Sequence, residues 1–161
     1  MPTSARNPSE SEENILELHP YLHKVQFYET DGMSIVHHGN YILWMEEART
    51  DFMDQIGWSY HNAVDAGIDF AVTDVSCKYR SMTRFGETIA IHMAVESLSP
   101  AKMQLSYKMV NADTGEVRAE GTSGHFFYDR AKARPVALKK ALPQLWTLLQ
   151  SLHEEGRSSE A

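Results

Sequence analysis

Cysteine is almost absent from this chain, since Cys77 is its only one. An internal disulfide is therefore excluded, and we expect a reducing, cytoplasmic location. The chain also lacks a basic excess, because its 15 Lys and Arg residues are outnumbered by 22 Asp and Glu residues. The resulting net charge of −7 argues against a broad nucleic-acid-binding face, so no nucleic-acid partner is predicted.

Long apolar runs are missing as well. No stretch approaches the about 20 residues of a membrane-spanning helix, so no membrane span is predicted. The start of the chain has no apolar segment of the signal-peptide type, and we expect residues 1–20 to form a partly disordered tail. The rest of the 161 residues suffices for one domain, which we place at 21–153, with a polar tail over 154–161.

Hydrophobic periodicity predicts an α+β domain. Apolar spacing of three and four residues predicts a long helix over 41–56, with Asn40 or His38 as its N-cap and Gly57 just after its end. Two-residue alternation predicts antiparallel strands, and further segments suit shorter helices. The strands are predicted at about 21–29, 71–79, 88–96, 102–109 and 117–128, with a short helix within 58–69 and a C-terminal helix from Pro143.

The long helix has an unusually wide apolar face. Ile42 and Leu43 extend it beyond one side, so we expect a sheet to cover the helix on more than one side. At helical spacing, apolar residues belong to a core more often than to a ligand pocket. We therefore expect five large side chains to be core residues, namely Tyr41, Trp44, Met45, Tyr79 and Phe85.

The segment between the first strand and this helix contains the candidate catalytic residues. Asp31 is followed by Gly32, and the pair His37 and His38 stands just before the helix. Free N–H groups at a helix start can stabilise an oxyanion while a nearby carboxylate acts as base or nucleophile. On spacing alone, an Asx turn at Asp31 is the commoner explanation. Metal binding is not predicted, because adjacent histidines point in different directions and no third ligand is suitably spaced.

The same segment resembles a known family. Residues 28–41 (YETDGMSIVHHGNY) and 44–50 (WMEEART) are similar to the 4-hydroxybenzoyl-CoA thioesterase family of hotdog-fold acyl-CoA thioesterases. The resemblance implies a curved antiparallel sheet of about five strands around the long helix, and hydrolysis of acyl-CoA thioesters. It assigns the catalytic carboxylate to Asp31, as nucleophile or general base, and carbonyl polarisation to the backbone N–H of His38. No cofactor is implied, because coenzyme A is part of the substrate.

The family places its sites at a subunit interface, so we expect a homodimer and the joining of two dimers into a homotetramer. Four cations are candidates for binding the phosphates of coenzyme A, namely Arg84, Arg130, Lys132 and Arg134. The chain departs from many relatives at Ser34, where they have glycine, and lacks their proline before Arg84. The Ser34 departure leaves open a non-catalytic module that binds acyl-CoA or carrier-protein thioesters, and a dehydratase is a weaker alternative.

Overall fold

A computed structural model describes residues 18–159, with the backbone alone at 157–159. Most of the tail predicted for residues 1–20 lies outside the described residues. The strands are β1 (Tyr21–Lys24), β2 (Ile68–Tyr79), β3 (Thr88–Leu98), β4 (Lys102–Asn111), β5 (Val117–Asp129) and β6 (Arg134–Pro135). The helices are α1 (Asn40–Gln55), α2 (Tyr60–Ala66), α3 (Leu138–Ala141) and α4 (Pro143–Ser159), and a single 3-10 turn spans Phe27–Glu29.

The strands form one antiparallel sheet in the order β1-β3-β4-β5-β2, with the two-residue β6 attached to β5. Helix α1 contacts β1 and β2, which lie at opposite ends of that order, and it also contacts β3 in between. A sheet whose two ends touch the same helix must curve around it. The α+β hotdog architecture, with a central helix and about five strands, is confirmed.

The packing of α1 on the sheet depends on a glycine in β5. The buried residues of α1 recur every three or four positions, and Trp44 and Met45 have no exposed surface. A Cβ atom at Gly121 would collide with Cε of Met45 and would lie 2.5 Å from the carbonyl oxygen of Ser76. The absence of a side chain at position 121 therefore lets the helix approach the sheet.

Several boundaries differ from the prediction. Strand β1 ends at Lys24 because the side chain of Glu29 accepts a 2.8 Å hydrogen bond from Gln26 N and begins the 3-10 turn. The N-cap of α1 is Gly39, which has helical angles, and neither Asn40 nor His38 takes that position. Gly57 does follow the helix, with φ of 81°.

The expected coverage of α1 is incomplete in the single chain. Ile42 and Leu43 are 42 % and 55 % exposed, and Tyr79 and Phe85 are exposed rather than core residues. These four expectations were wrong for one chain. The sheet covers only the face of α1 that carries Tyr41, Trp44 and Met45, while Tyr79 ends β2 and Phe85 lies in the loop before β3.

The C-terminal helix is longer than expected. It begins at Pro143, as predicted, and continues to Ser159, into the segment assigned to a polar tail. Leu145, Leu149 and Leu152 are buried, and α4 packs on β3. Among the described residues, no helix is long and apolar enough to cross a membrane.

Candidate active site

Asp31 begins a tight turn between the 3-10 turn and α1. Its backbone N–H donates to Ile35 O at 2.8 Å, and its carbonyl accepts from Ser34 N at 3.0 Å. Met33 N donates to Asp31 Oδ1 at 2.8 Å, so the Asx turn considered above is present. The second carboxylate oxygen, Oδ2, accepts no hydrogen bond from the described residues and stays available to a ligand.

The turn has a strained position at Ser34. This residue has φ of 61°, in the left-handed region that glycine adopts without steric cost. A serine side chain is accommodated here because it is exposed to solvent.

Hydrogen bonds hold the turn against the start of α1. The carbonyl of Glu29 accepts from His37 N at 2.9 Å and from Nδ2 of Asn40 at 2.8 Å. On the other side, Val36 N donates to Thr83 O at 2.8 Å. Two backbone carbonyls therefore fix His37, Asn40 and the segment that leads into them.

His38 presents an unused donor at the start of α1. No described residue accepts a hydrogen bond from its backbone N–H, while its carbonyl accepts from Tyr79 Oη at 2.8 Å. A sixteen-residue helix adds a positive electrostatic potential at this end. The rings of His37 and His38 are stacked, with centroids 4.1 Å apart, so the expectation that they point in different directions was wrong.

Sequence reasoning missed a buried carboxylate beneath the turn. Glu29 is 4 % exposed and accepts hydrogen bonds from Gln26 N, His23 Nε2 and Trp44 Nε1. Burial raises the pKa of Glu29, but the hydrogen bonds from Gln26, His23 and Trp44 outweigh burial and hold the pKa below its ordinary value. The signal available in the sequence was the three-residue spacing of Gln26 and Glu29, which suits a capping box.

The four candidate phosphate-binding cations lie at two separate places. Arg84 lies shortly after the end of β2. It directly follows Thr83, whose carbonyl accepts a hydrogen bond from Val36 N beside the Asp31 turn. Arg130 N donates to Gly67 O just before β2 begins, and its Nε lies 2.9 Å from Asp69 Oδ2. Lys132 and Arg134 are exposed and close to Arg130 in sequence. Within one chain, about 40 Å of extended strand separates Arg84 from the other three.

A cavity of about 330 Å³ lies beside the first half of β2. It is bounded by the C-terminal half of α1, by α2 and by the sheet, and most of its lining is apolar. Its buried polar residue is His125, which the sequence analysis did not select. The lining includes Phe52, Met53, Phe70, Met103, Leu105 and His125, with Glu46, Arg49, Asp69 and Arg130 among its charged members.

A curved antiparallel sheet around one central helix defines the hotdog architecture. Residues 25–145 match the model of the thioesterase-like superfamily, and the chain belongs to that superfamily. No group of three or more His, Cys, Asp or Glu residues able to hold a metal ion occurs in the described part of the chain.

Individual relatives agree with this assignment. YneP of Bacillus subtilis, assigned by name to the acyl-CoA thioesterases, is 32 % identical over 124 residues, which cover 77 % of this chain and 89 % of that protein. The acyl-CoA thioester hydrolase YbgC of Escherichia coli is 23 % identical and covers 74 % of this chain and 88 % of that protein. The DHNA-CoA thioesterase structure from Staphylococcus aureus superposes with a TM-score of 0.78 at 27 % identity, covering 86 % of this chain and 94 % of that one.

Proposed function

We propose that this enzyme hydrolyses acyl-CoA thioesters to a carboxylic acid and coenzyme A. Asp31 supplies the carboxylate, and the backbone N–H of His38 polarises the thioester carbonyl. The observation that carries the proposal is that one short segment holds a carboxylate oxygen and a helix-start backbone N–H, neither of which has a hydrogen-bond partner among the described residues. Hydrogen bonds to the backbone carbonyls of Glu29 and Thr83 hold this segment in place.

Two routes use these groups. In one, Asp31 removes a proton from water, the hydroxide attacks the carbonyl carbon, and the C–S bond breaks as the thiolate takes a proton. In the other, an Asp31 oxygen attacks the carbonyl carbon, the C–S bond breaks, and the coenzyme A thiolate leaves and takes a proton. The resulting mixed anhydride is then hydrolysed by water, which frees the acid and Asp31. In both, the carbonyl oxygen becomes negative and accepts a hydrogen bond from His38 N–H. Neither route requires a metal or redox cofactor.

The free edge of β2 supports a homodimer. Strand β2 ends the sheet order, and no described residue pairs with its outer edge. Exposed Val72 and Tyr79 lie on it, and exposed Ile42 and Leu43 lie on the adjacent helix. Pairing with a second copy would bury this apolar surface and remove an edge prone to aggregation. A homotetramer stays a further expectation.

An antiparallel pairing of two β2 strands would complete the site. The Asp31 turn is attached near the end of β2, and the cavity lies beside its start. A two-fold axis at the middle of β2 would bring the turn of one subunit to the cavity of the other. The cavity would then receive the acyl group, and Arg130, Lys132 and Arg134 of one subunit would join Arg84 of its partner in binding coenzyme A phosphates.

The test is thiol release from a panel of acyl-CoAs, aliphatic and aromatic, by the wild type and by Asp31→Asn. We expect turnover to fall by about 10³-fold in the variant, while Asp54→Asn, at an exposed position of α1, keeps wild-type turnover. Unchanged turnover in Asp31→Asn refutes the assignment. Saturable binding without thiol release by the wild type identifies the non-catalytic module instead.

A further inference from the structure

The ring of His23 on β1 lies between two carboxylates. Its Nε2 lies 2.7 Å from Oε1 of Glu29 in the 3-10 turn, and its Nδ1 lies 3.1 Å from Oε2 of Glu47 on α1. The His23 side chain is 11 % exposed, and no Lys or Arg among the described residues forms an ion pair with either carboxylate. One ring therefore joins a strand, a turn and the central helix.

Both contacts require a hydrogen on the ring. An ionised carboxylate can only accept, whereas a neutral imidazole has one donor. Burial raises the pKa of Glu29, but the N–H donors around it hold the pKa below its ordinary value, so Glu29 is ionised and Nε2 donates to it. Glu47 is 44 % exposed and also accepts from Tyr21 Oη at 2.8 Å, so it would turn into solvent if Nδ1 carried no hydrogen. His23 therefore carries a hydrogen on each ring nitrogen and is an imidazolium.

The other groups around the ring agree with a positive charge on it. The ring of Trp44 lies against His23 with centroids 4.6 Å apart and an interplanar angle of 33°, which favours a cation. Burial and the hydrogen bond to Glu47 raise the pKa of Tyr21 to about 12, so its hydroxyl stays a donor. Ile89 is opposite His23 on β3 and carries no charge. Among the described residues, the two carboxylates are therefore the charged groups that face the ring.

We propose that His23, with a hydrogen on each ring nitrogen, is a positioning residue for the hydrolysis and orients the segment between Asp31 and the start of α1. This inference rests on the proposed function. The link is Glu29, whose backbone carbonyl accepts from His37 N at 2.9 Å and from Asn40 Nδ2 at 2.8 Å. A neutral ring would leave the carboxylate of Glu29, which is 4 % exposed, without its cation. An unpaired buried charge is costly, so the turn moves toward water and takes the catalytic carboxylate out of place.

The kinetic test compares His23→Gln with His92→Gln, at an exposed position of β3. We measure kcat and KM for octanoyl-CoA and phenylacetyl-CoA from about pH 6 to pH 9.5, after subtracting uncatalysed hydrolysis. For the wild type we expect kcat to fall about tenfold on the alkaline side, as the ring loses one hydrogen. His23→Gln should have a kcat about tenfold lower at pH 7, little change in KM and no such fall. His92→Gln should follow the wild type.

The pH profile separates positioning by charge from a merely structural contribution. A structural role alone would lower kcat at every pH and keep the alkaline fall. Glu47→Gln removes one of the two carboxylates at a half-exposed position, so the alkaline fall should move to lower pH by about half a unit to one unit. Asp54→Asn, at an exposed position of the same helix, should leave the fall where it is.

A second pair of measurements does not depend on turnover. Nitrogen NMR of the wild type at pH 7 should show a hydrogen on both ring nitrogens of His23. Amide hydrogen exchange at His37 N–H, which donates to the carbonyl of Glu29, should be about tenfold faster in His23→Gln, with the amides of β4 unchanged. A neutral His23 ring at pH 7, or unchanged exchange at His37, overturns the inference.

The two proposals fail in different ways. If Asp31→Asn abolishes turnover while His23→Gln has the wild-type pH profile, the function stands and the role of His23 is refuted. If Asp31→Asn still hydrolyses and the alkaline fall depends on His23, the catalytic assignment fails and the role of His23 in orienting the helix start stands. If the wild type releases no thiol, the proposed function fails, and NMR and hydrogen exchange support or refute the role of His23 by themselves.

Discussion

The indole N–H of Trp44 donates a 2.6 Å hydrogen bond to Oε2 of Glu29, across the space between the central helix and the 3-10 turn. The same carboxylate accepts from His23 Nε2 at 2.7 Å. The backbone carbonyl of Glu29 binds His37 and Asn40 at the helix start. Glu29 thus joins the core to the segment that carries Asp31, and it is a positioning residue rather than a catalytic one.

Glu29→Gln should lower the free energy of unfolding by about 2 kcal/mol at pH 7, because the amide puts an N–H against a buried donor. The folded-state pKa of Glu29 is depressed, so its ionised form stabilises the fold above the ordinary carboxyl pKa. That stability is lost as pH falls through the folded-state pKa, and the difference between wild type and variant should shrink in acid. Urea unfolding at pH 7 and at pH 4 measures both effects.

The control for this change is Glu96→Gln, at an exposed position of β3. The free energy of unfolding of this variant should stay within about 0.5 kcal/mol of the wild-type value at both pH values. A loss as large as that of Glu29→Gln would show that the buried contacts of Glu29 are not the cause of its effect.

The strands and α1 could be predicted because their periodicities are local properties of the sequence. The environment of Glu29 could not, because its partners His23 and Trp44 come from a strand and a helix that meet only in the folded chain. The exposure of Ile42 and Leu43 was missed because an apolar residue looks the same in sequence whether a core or a partner subunit covers it. Glu29 lies within the 28–41 segment and His125 lies outside it, and the burial of both side chains is visible only in the folded chain.

Tyr79→Phe should lower kcat about fivefold with little change in stability. Tyr79 Oη donates to the carbonyl of His38, and this bond fixes the peptide group that follows His38, adjacent to the one whose N–H is proposed to bind the oxyanion. The side chain is 48 % exposed, so its hydroxyl contributes little to the fold. Tyr28→Phe, at a residue 83 % exposed, is the matched control. Equal kinetics for the two variants would remove Tyr79 from the site.

Gly121→Ala should destabilise the protein by about 2 kcal/mol or more. The added methyl group would collide with Met45 and with the backbone of Ser76, and the backbone cannot move aside cheaply. Gly32→Ala is the control, because nothing lies within 4 Å of a Cβ there. Thermal unfolding of both variants measures the difference, and similar melting temperatures would contradict the close approach of α1 to β5.

Ser34→Gly should raise the free energy of unfolding by about 0.5 kcal/mol. The left-handed backbone at φ of 61° costs serine about 1–2 kcal/mol, and part of the gain is offset by the greater chain entropy of glycine when unfolded. Ser97→Gly, in strand β3, should instead destabilise by about 0.5–1 kcal/mol. Chemical unfolding of the two variants should show changes in the free energy of unfolding of opposite sign, and changes of the same sign would contradict strain at Ser34.

The titration of His125 should be visible in the dependence of stability on pH. Its folded-state pKa of about 4 lies below the ordinary 6.5, so the unfolded chain binds a proton that the folded chain does not. Stability is therefore complete above pH 6.5 and decreases as pH falls toward 4, by up to about 3 kcal/mol. His125→Phe should remove this contribution to the slope of unfolding free energy against pH between pH 7 and pH 4.5, whatever its effect on stability at pH 7. His92→Phe, at an exposed position, should keep the wild-type slope, and an equal slope in both variants would show that the ring of His125 is not held neutral by burial.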